Sequence, residues 1–192
     1  MIFSLASDIG KVRKNNEDFI DSKIIYKDDD TKIGIFALAD GMGGHNKGEV
    51  ASAMAVNGII EFLSQNLSQS GNIKIDYFDD IIKQAYNHVN LKIYEKSKED
   101  ESFNGMGTTL VTVVIYNEDM YVANVGDSRC YILREDDLKR ITDVLSLPET
   151  SFAKFIKFLV TTSKSSSFFS SSFILSSNTY PVSPSVILIQ KS

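Results

Sequence analysis

Three short clusters combine carboxylates with arginine or glycine at spacings suited to chemistry on a charged group. The first is Arg13-Lys14-Asn15-Asn16-Glu17-Asp18. Neighbouring residues of a strand face opposite sides, so only one of Glu17 and Asp18 can enter a given site. A charged turn between strands is the plain alternative. The second cluster is Ala39-Asp40-Gly41-Met42-Gly43-Gly44. Asp40 closes an apolar run, where an ionised carboxylate is costly unless paired or metal-bound. The glycines after it let a backbone carbonyl approach an ion and leave room for a phosphate. Hard oxygen donors of this kind suit Mg²⁺ or Mn²⁺ rather than zinc. The alternative is a glycine turn leading into a helix, although Asp40 lies too far ahead of Lys47 to be its cap. The third cluster, Val125-Gly126-Asp127-Ser128-Arg129, reads by itself as a hairpin turn.

The elements that must position these clusters can be traced in the pattern of apolar residues. Phe3–Ser7, Phe19–Lys27 and Lys32–Ala39 read as strands, the last a continuous buried run. Asp28-Asp29-Asp30 makes a solvated turn before it. Asn46 is placed to cap a helix from Lys47 to about Asn66, with Val50, Met54, Ile59 and Leu63 toward a core. A second helix runs from Tyr77 to about Lys96, capped near Asp76. Its Phe78, Ile81, Ile82, Ala85, Val89 and Ile93 form one stripe at helical spacing. Lys98–Asn104 reads as a polar loop. Four strands follow at Thr108–Tyr116, Met120–Val125, Arg129–Leu133 and Leu138–Ile141. Hairpin-linked strands in succession imply an antiparallel sheet, and hence an α+β fold rather than a doubly wound parallel one.

Composition bounds the function. The 192 residues carry 20 Lys+Arg against 25 Asp+Glu, and a net charge of −5 argues against a nucleic-acid partner. A lone cysteine, Cys130, excludes a disulfide scaffold and a cysteine-based zinc site. No apolar run is long enough to cross a bilayer, and the amino terminus lacks the pattern of a secretory signal. The expectation is a cytoplasmic chain without a membrane partner. The composition changes abruptly after Asp143. Residues 1–143 hold all 11 glycines, whereas residues 144–192 hold all three prolines, 14 serines and no aspartate. Short apolar bursts, Phe155–Val160, Phe168–Leu175 and Val186–Ile189, interrupt the serines. A Ser-rich tail of this kind is expected to contribute little core.

Taken in order, the clusters resemble one family. Arg13…Asn16-Glu17-Asp18, Ala39-Asp40-Gly41-Met42-Gly43-Gly44, Gly105…Gly107-Thr108-Thr109-Leu110 and Val122-Ala123-Asn124-Val125-Gly126-Asp127-Ser128-Arg129 are similar to metal-dependent serine/threonine protein phosphatases of type 2C. Gly-Met-Gly-Gly followed by His45 and Gly48-Glu49 resembles the bacterial branch. The resemblance covers residues 1–143, the expected amino-terminal part of a phosphatase domain. It implies a four-layer sandwich, two antiparallel sheets flanked by helices, with two Mg²⁺ or Mn²⁺ ions at one end. It implies that Asp40 bridges both ions and that the Gly41 carbonyl and, through water, Glu17 serve the first, with Asp18 nearby. Arg13 would hold the substrate phosphate, and Asp127 would serve a third, weaker ion. The implied reaction is attack of a metal-activated water on phosphoserine or phosphothreonine of proteins, opposing a partner kinase. No phosphoenzyme is needed, so Cys130 is not a nucleophile. Met42 stands where eukaryotic relatives carry a histidine; His45 reads as a loop residue and His88 as a packing or surface residue.

The resemblance implies further aspartates downstream for the second ion. Here Val144-Leu145-Ser146-Leu147-Pro148 follows Asp143, and Glu149 is the only carboxylate side chain beyond it. The expectations are therefore a fold missing its carboxyl-terminal part, a shift of reading frame or an aberrant splice near Asp143, a weakened second ion and impaired turnover. The alternative function is a non-catalytic pseudophosphatase fragment or partner-binding module.

Overall fold

Strand β3 (Lys32–Met42) is apolar on both faces because it is covered on both faces. Its Ile33, Ile35, Ala37 and Ala39 enter one core cluster, with helices α1 (Gly48–Gln69) and α2 (Ile75–Glu99). Its Phe36 and Leu38 enter a second cluster. The same alternation divides β5 (Leu110–Tyr116) and β6 (Asp119–Val125). Leu110, Val114, Tyr121 and Ala123 face the helices, and Val111, Val113, Met120 and Val122 face the other way. In that direction they meet Cys130 and Ile132 of β7 (Arg129–Arg134), together with Ile141 beyond β8 (Asp137–Arg140). Helices, sheet and sheet thus stack in three layers with a core in each gap.

The computed structural model describes residues 1–11, 13–27, 31–42, 47–69, 73, 75–117, 119–134, 136–142, 154–159, 172–176 and 185–190. The turn expected at Asp28–Asp30, Gly43, Gly44, His45, the Asn46 cap and Asp143 lie outside them. The expected second helical layer is also not found among the described residues. The helix-facing sheet has the order β2-β3-β5-β6-β9, where β2 is Asp18–Tyr26 and β9 is Lys154–Leu159. The short β4 (Gly107–Thr108) pairs with the end of β3. The other sheet has the order β1-β10-β11-β7-β8, with β1 at Ile2–Ser4, β10 at Ser172–Ser176 and β11 at Ser185–Gln190. Every neighbouring pair is antiparallel. The α+β class is as expected.

Several local expectations change. β3 extends past Ala39 to Met42, because β4 supplies Gly107 and Thr108 as partners for Met42 and Gly41. In α1 the buried positions include Ala51, Ala55, Val56, Ile59, Leu63 and Leu67, whereas Val50 and Met54 are half-buried. α2 takes in position 76 rather than starting after it, and continues to Glu99. A turn of 3₁₀ helix, Glu101–Phe103, replaces part of the expected loop; the Asp100 carboxylate accepts from the Ser102 N–H at 2.8 Å. β6 and β7 do not form a hairpin. They belong to different sheets, so the Gly126-Asp127-Ser128 turn is a corner at which the chain passes from one sheet to the other. In the Ser-rich segment three stretches form strands paired in register with β6, β1 and β7.

Candidate functional site

The site is built where β2 begins and β3 nears its end. The antiparallel register sets Asp18 directly opposite Asp40. On β3, Asp40 continues the side of Phe36 and Leu38, and on β2, Asp18 continues the side of Ile20 and Ile24. Both carboxylates therefore lie on the face between the sheets, at one end of the sandwich. Both are half-buried, and the two carboxylate oxygens of Asp18 are shut off from solvent. Like charges directly opposite on neighbouring strands destabilise a sheet, and withdrawing them from water adds to that penalty. A divalent cation reverses the sign of the interaction. Paired carboxylates are also the hard donors that Mg²⁺ and Mn²⁺ prefer.

Backbone contacts hold the pair in place. The Gly41 N–H donates to the Glu17 carbonyl at 3.0 Å, and the Ser52 hydroxyl of α1 donates to the same carbonyl at 2.6 Å. A Cβ at Gly41 would collide with the Gly48 carbonyl oxygen and stand 2.7 Å from the Glu17 carbonyl oxygen. Conversely, a Cβ at Gly48 would stand 3.0 Å from the Gly41 carbonyl carbon. The start of α1 can approach the carboxylate-bearing strand this closely only because both residues lack side chains. Upstream, Asn16 Oδ1 accepts from the Asp18 N–H at 3.1 Å, while Asn16 Nδ2 donates to Ser7 Oγ at 2.7 Å. One amide thus fastens the approach to β2 to the chain leaving β1.

On the other flank, Thr109 fills an interruption between β4 and β5. Its N–H donates to the Asp40 carbonyl at 3.0 Å, and its Oγ1 accepts from the Asp40 N–H at 2.9 Å. The same Oγ1 lies 2.7 Å from Ser128 Oγ, just past the intersheet corner. Gly126 turns that corner at a φ of +92°, a conformation glycine adopts without strain, and a Cβ there would stand 2.7 Å from Thr109 Cγ2.

Of the residues expected at the site, the structure brings Asp18 and Asp40 together and places Gly41 beside them. Glu17 is half-buried and next to the pair through its backbone carbonyl. Asp127 stands exposed on the corner, and the neighbouring Ser128 links that corner to Asp40 through Thr109. Arg13 is exposed in the segment between β1 and β2, and no ion pair among the described residues includes it. No group of three or more His, Cys, Asp or Glu side chains converges among the described residues. Burial pushes the Cys130 thiol far above its ordinary range, which fits an inert core residue. His88 is half-buried with its ring 5.1 Å from that of Phe62, a packing contact between the helices. Nothing in the spacing of the sequence marks Ser52, Thr109 and Ser128 as supports of the site. The available signal was a hydroxyl-bearing residue at the entrance to an apolar strand, as at Thr109.

The protein phosphatase 2C family profile matches residues 11–173. The chain belongs to that family. The match continues beyond Asp143, where the composition changes, to the start of β10. Among curated relatives, a serine/threonine phosphatase of Listeria innocua is 34% identical over 141 residues, covering 73% of this chain and 53% of the relative. A solved serine/threonine phosphatase of S. agalactiae superposes with a TM-score of 0.69 at 25% identity, covering 84% of this chain and 76% of that one. The Mycobacterium tuberculosis phosphatase PstP/Ppp superposes with a TM-score of 0.57 at 32% identity, covering 74% of this chain and 54% of that one. The chain spans about half the length of the curated relatives it matches.

Proposed function

We propose that this chain is a divalent-metal-dependent phosphatase that removes phosphate from serine and threonine side chains of proteins, opposing a serine/threonine kinase. Family membership supports the reaction class. The observation that carries the reading is the Asp18–Asp40 pair, two like charges in register at the mouth of the sandwich with the Asp18 oxygens withdrawn from solvent. Asp18 and Asp40 would hold Mg²⁺ or Mn²⁺, with the Gly41 carbonyl and Glu17 completing the donor set. When bound, such an ion acidifies water and offsets charge on the phosphoryl group.

The chain's own residues have defined parts. Gly41 allows the backbone to come close to the ion. Arg13 would bind the phosphate oxygens through its guanidinium fork. In the overall reaction water adds to phosphorus, the ester P–O bond breaks, and the serine or threonine oxygen leaves as the hydroxyl. Water is the nucleophile, so no side-chain ester forms, in keeping with a buried Cys130.

A second reading, a pseudophosphatase that binds one ion without turnover, draws on a specific observation. Residues 144–192 hold no aspartate and Glu149 as their one carboxylate side chain, so this stretch offers few donors for a second ion. One experiment separates the two: hydrolysis of p-nitrophenyl phosphate and of a phosphothreonine peptide with and without Mn²⁺, beside calorimetric Mn²⁺ titration. Turnover that requires Mn²⁺ and is lost at least a hundredfold in Asp40→Asn supports the enzyme. Mn²⁺ binding that Asp40→Asn abolishes, with no turnover, supports the pseudophosphatase. Absence of both overturns the metal site.

A further inference from the structure

We propose that Thr109 is a positioning residue for Asp40, and that the Thr109–Ser128 hydroxyl pair sets the corner carrying Asp127 relative to it. The inference rests on the metal-site reading above and assigns a residue that contributes no donor to the ion.

Asp40 has backbone partners on both sides. On the β2 side it is set by strand register opposite Asp18. On the β5 side regular pairing stops, and a side chain takes over: Thr109 Oγ1 accepts from the Asp40 N–H at 2.9 Å, while the Thr109 N–H returns a bond to the Asp40 carbonyl at 3.0 Å. On this side one residue, acting through both backbone and hydroxyl, thus constrains the φ and ψ of Asp40, and with them the direction of its carboxylate. That hydroxyl also meets Ser128 Oγ at 2.7 Å. Thr109 and Ser128 are almost fully buried, at 2% and 1% exposure, so water cannot replace either partner if the other is removed.

Ser128 follows the corner at which the chain leaves the helix-facing sheet for the other one. The bond therefore ties the two sheets together at the end where the carboxylates lie. The Thr109 methyl lies where a Cβ on Gly126 would have to go, which confines the corner from inside. A loose corner would let Asp127 drift with respect to Asp40. With the hydroxyl pair in place, the separation is set before any ion arrives.

The test uses the full chain and Mn²⁺ titrated by calorimetry, with the amide exchange rate of Asp40 as a readout independent of the metal. Thr109→Val keeps the shape and removes the hydroxyl. It is expected to weaken Mn²⁺ binding at least tenfold and to speed exchange of the Asp40 amide. Thr109→Ser restores the hydroxyl and is expected to bind within threefold of wild type. Ser128→Ala is expected to fall between them. Tyr86→Phe is the stability control. It removes a buried hydroxyl within 2.9 Å of the Ala123 carbonyl and 3.3 Å of the Leu110 carbonyl, on the helix-facing side of the sheet rather than the side of the carboxylates, and is expected to lower the melting temperature with Mn²⁺ affinity unchanged. Wild-type affinity in Thr109→Val, or an equal loss in Tyr86→Phe, overturns this inference while leaving the metal site standing. Wild-type protein that binds no Mn²⁺ overturns both.

Discussion

Gly41→Ala is expected to damage the protein far beyond the size of one methyl group. The new Cβ would sit 2.5 Å from the Gly48 carbonyl carbon, closer still to its oxygen, and 2.7 Å from the Glu17 carbonyl oxygen. All three are backbone atoms, so no side-chain rotation relieves the clash. Overpacking of this kind costs about 1–3 kcal/mol. Moving the Glu17 carbonyl would also strain its bonds to the Gly41 N–H and the Ser52 hydroxyl, each worth about 1 kcal/mol. The sum is at most roughly 3–5 kcal/mol, a large share of the about 5–15 kcal/mol typical of a folded domain. For a chain of this size it corresponds to a fall in melting temperature of roughly 6–20 °C. Gly107→Ala is the matched control, because among the described residues a Cβ there would meet only the Met42 methyl, at 3.9 Å. That variant should stay within about 0.5 kcal/mol of wild type. Urea unfolding of the three proteins, with calorimetric melting, decides the matter. Equal stability of Gly41→Ala and wild type, or equal losses in both variants, refutes the close approach of α1 to β3.

Two other expectations concern charge. Asp18→Asn should raise stability in EDTA by about 0.2–1 kcal/mol, by relieving the repulsion across the strands. The same change should abolish the rise in melting temperature that Mn²⁺ gives wild type, as thermal melts with and without the ion will show. Alkali should unfold the protein gradually. Burial raises the Cys130 thiol and the Tyr86 hydroxyl far above their ordinary values of 9.0 and 10.0, and burial with nearby Asp119 and Asp79 pushes Tyr121 up to about 12. In each case the unfolded chain releases its proton first. Stability is therefore intact below about pH 9 and falls as the pH climbs toward 12. Urea midpoints measured from pH 8 to 11 should decline, and Cys130→Ala should remove the first part of the decline, between about pH 9 and 10.

Most of the frame could be seen in the sequence because its forces are local. Alternating burial made β3 a continuous apolar run, and Phe78, Ile81, Ile82, Ala85 and Val89 formed the stripe that α2 buries. Features that depend on distant partners were harder to see. Nothing near Ala39 signals that β4 would extend β3 to Met42. Gly126-Asp127-Ser128 has hairpin composition, but both flanking strands find their partners elsewhere, and the turn becomes a passage between sheets. In the serine-rich segment, apolar bursts of only a few residues suffice for a strand where an open edge awaits them. The site followed the same division. Asp40 and Glu17-Asp18 stood out as unusual residues, but their meeting is a matter of register. Thr109 and Ser128 act through single hydroxyl contacts that no periodicity encodes.

The placement of β11 between β10 and β7, with β1 joined to its sheet only through β10, fixes an order of events during synthesis. The strands from Asp18 to Val125 pair with one another, except at the free edge of β6 that β9 later takes, and with α1 and α2 they can assemble as they emerge from the ribosome. β1, the first strand made, must wait until residues 172–190 have emerged before it has a place in a sheet. Until then the inner faces of Phe36, Val113 and Met120 lack their full cover, a window in which a nascent chain is open to chaperones and to its neighbours.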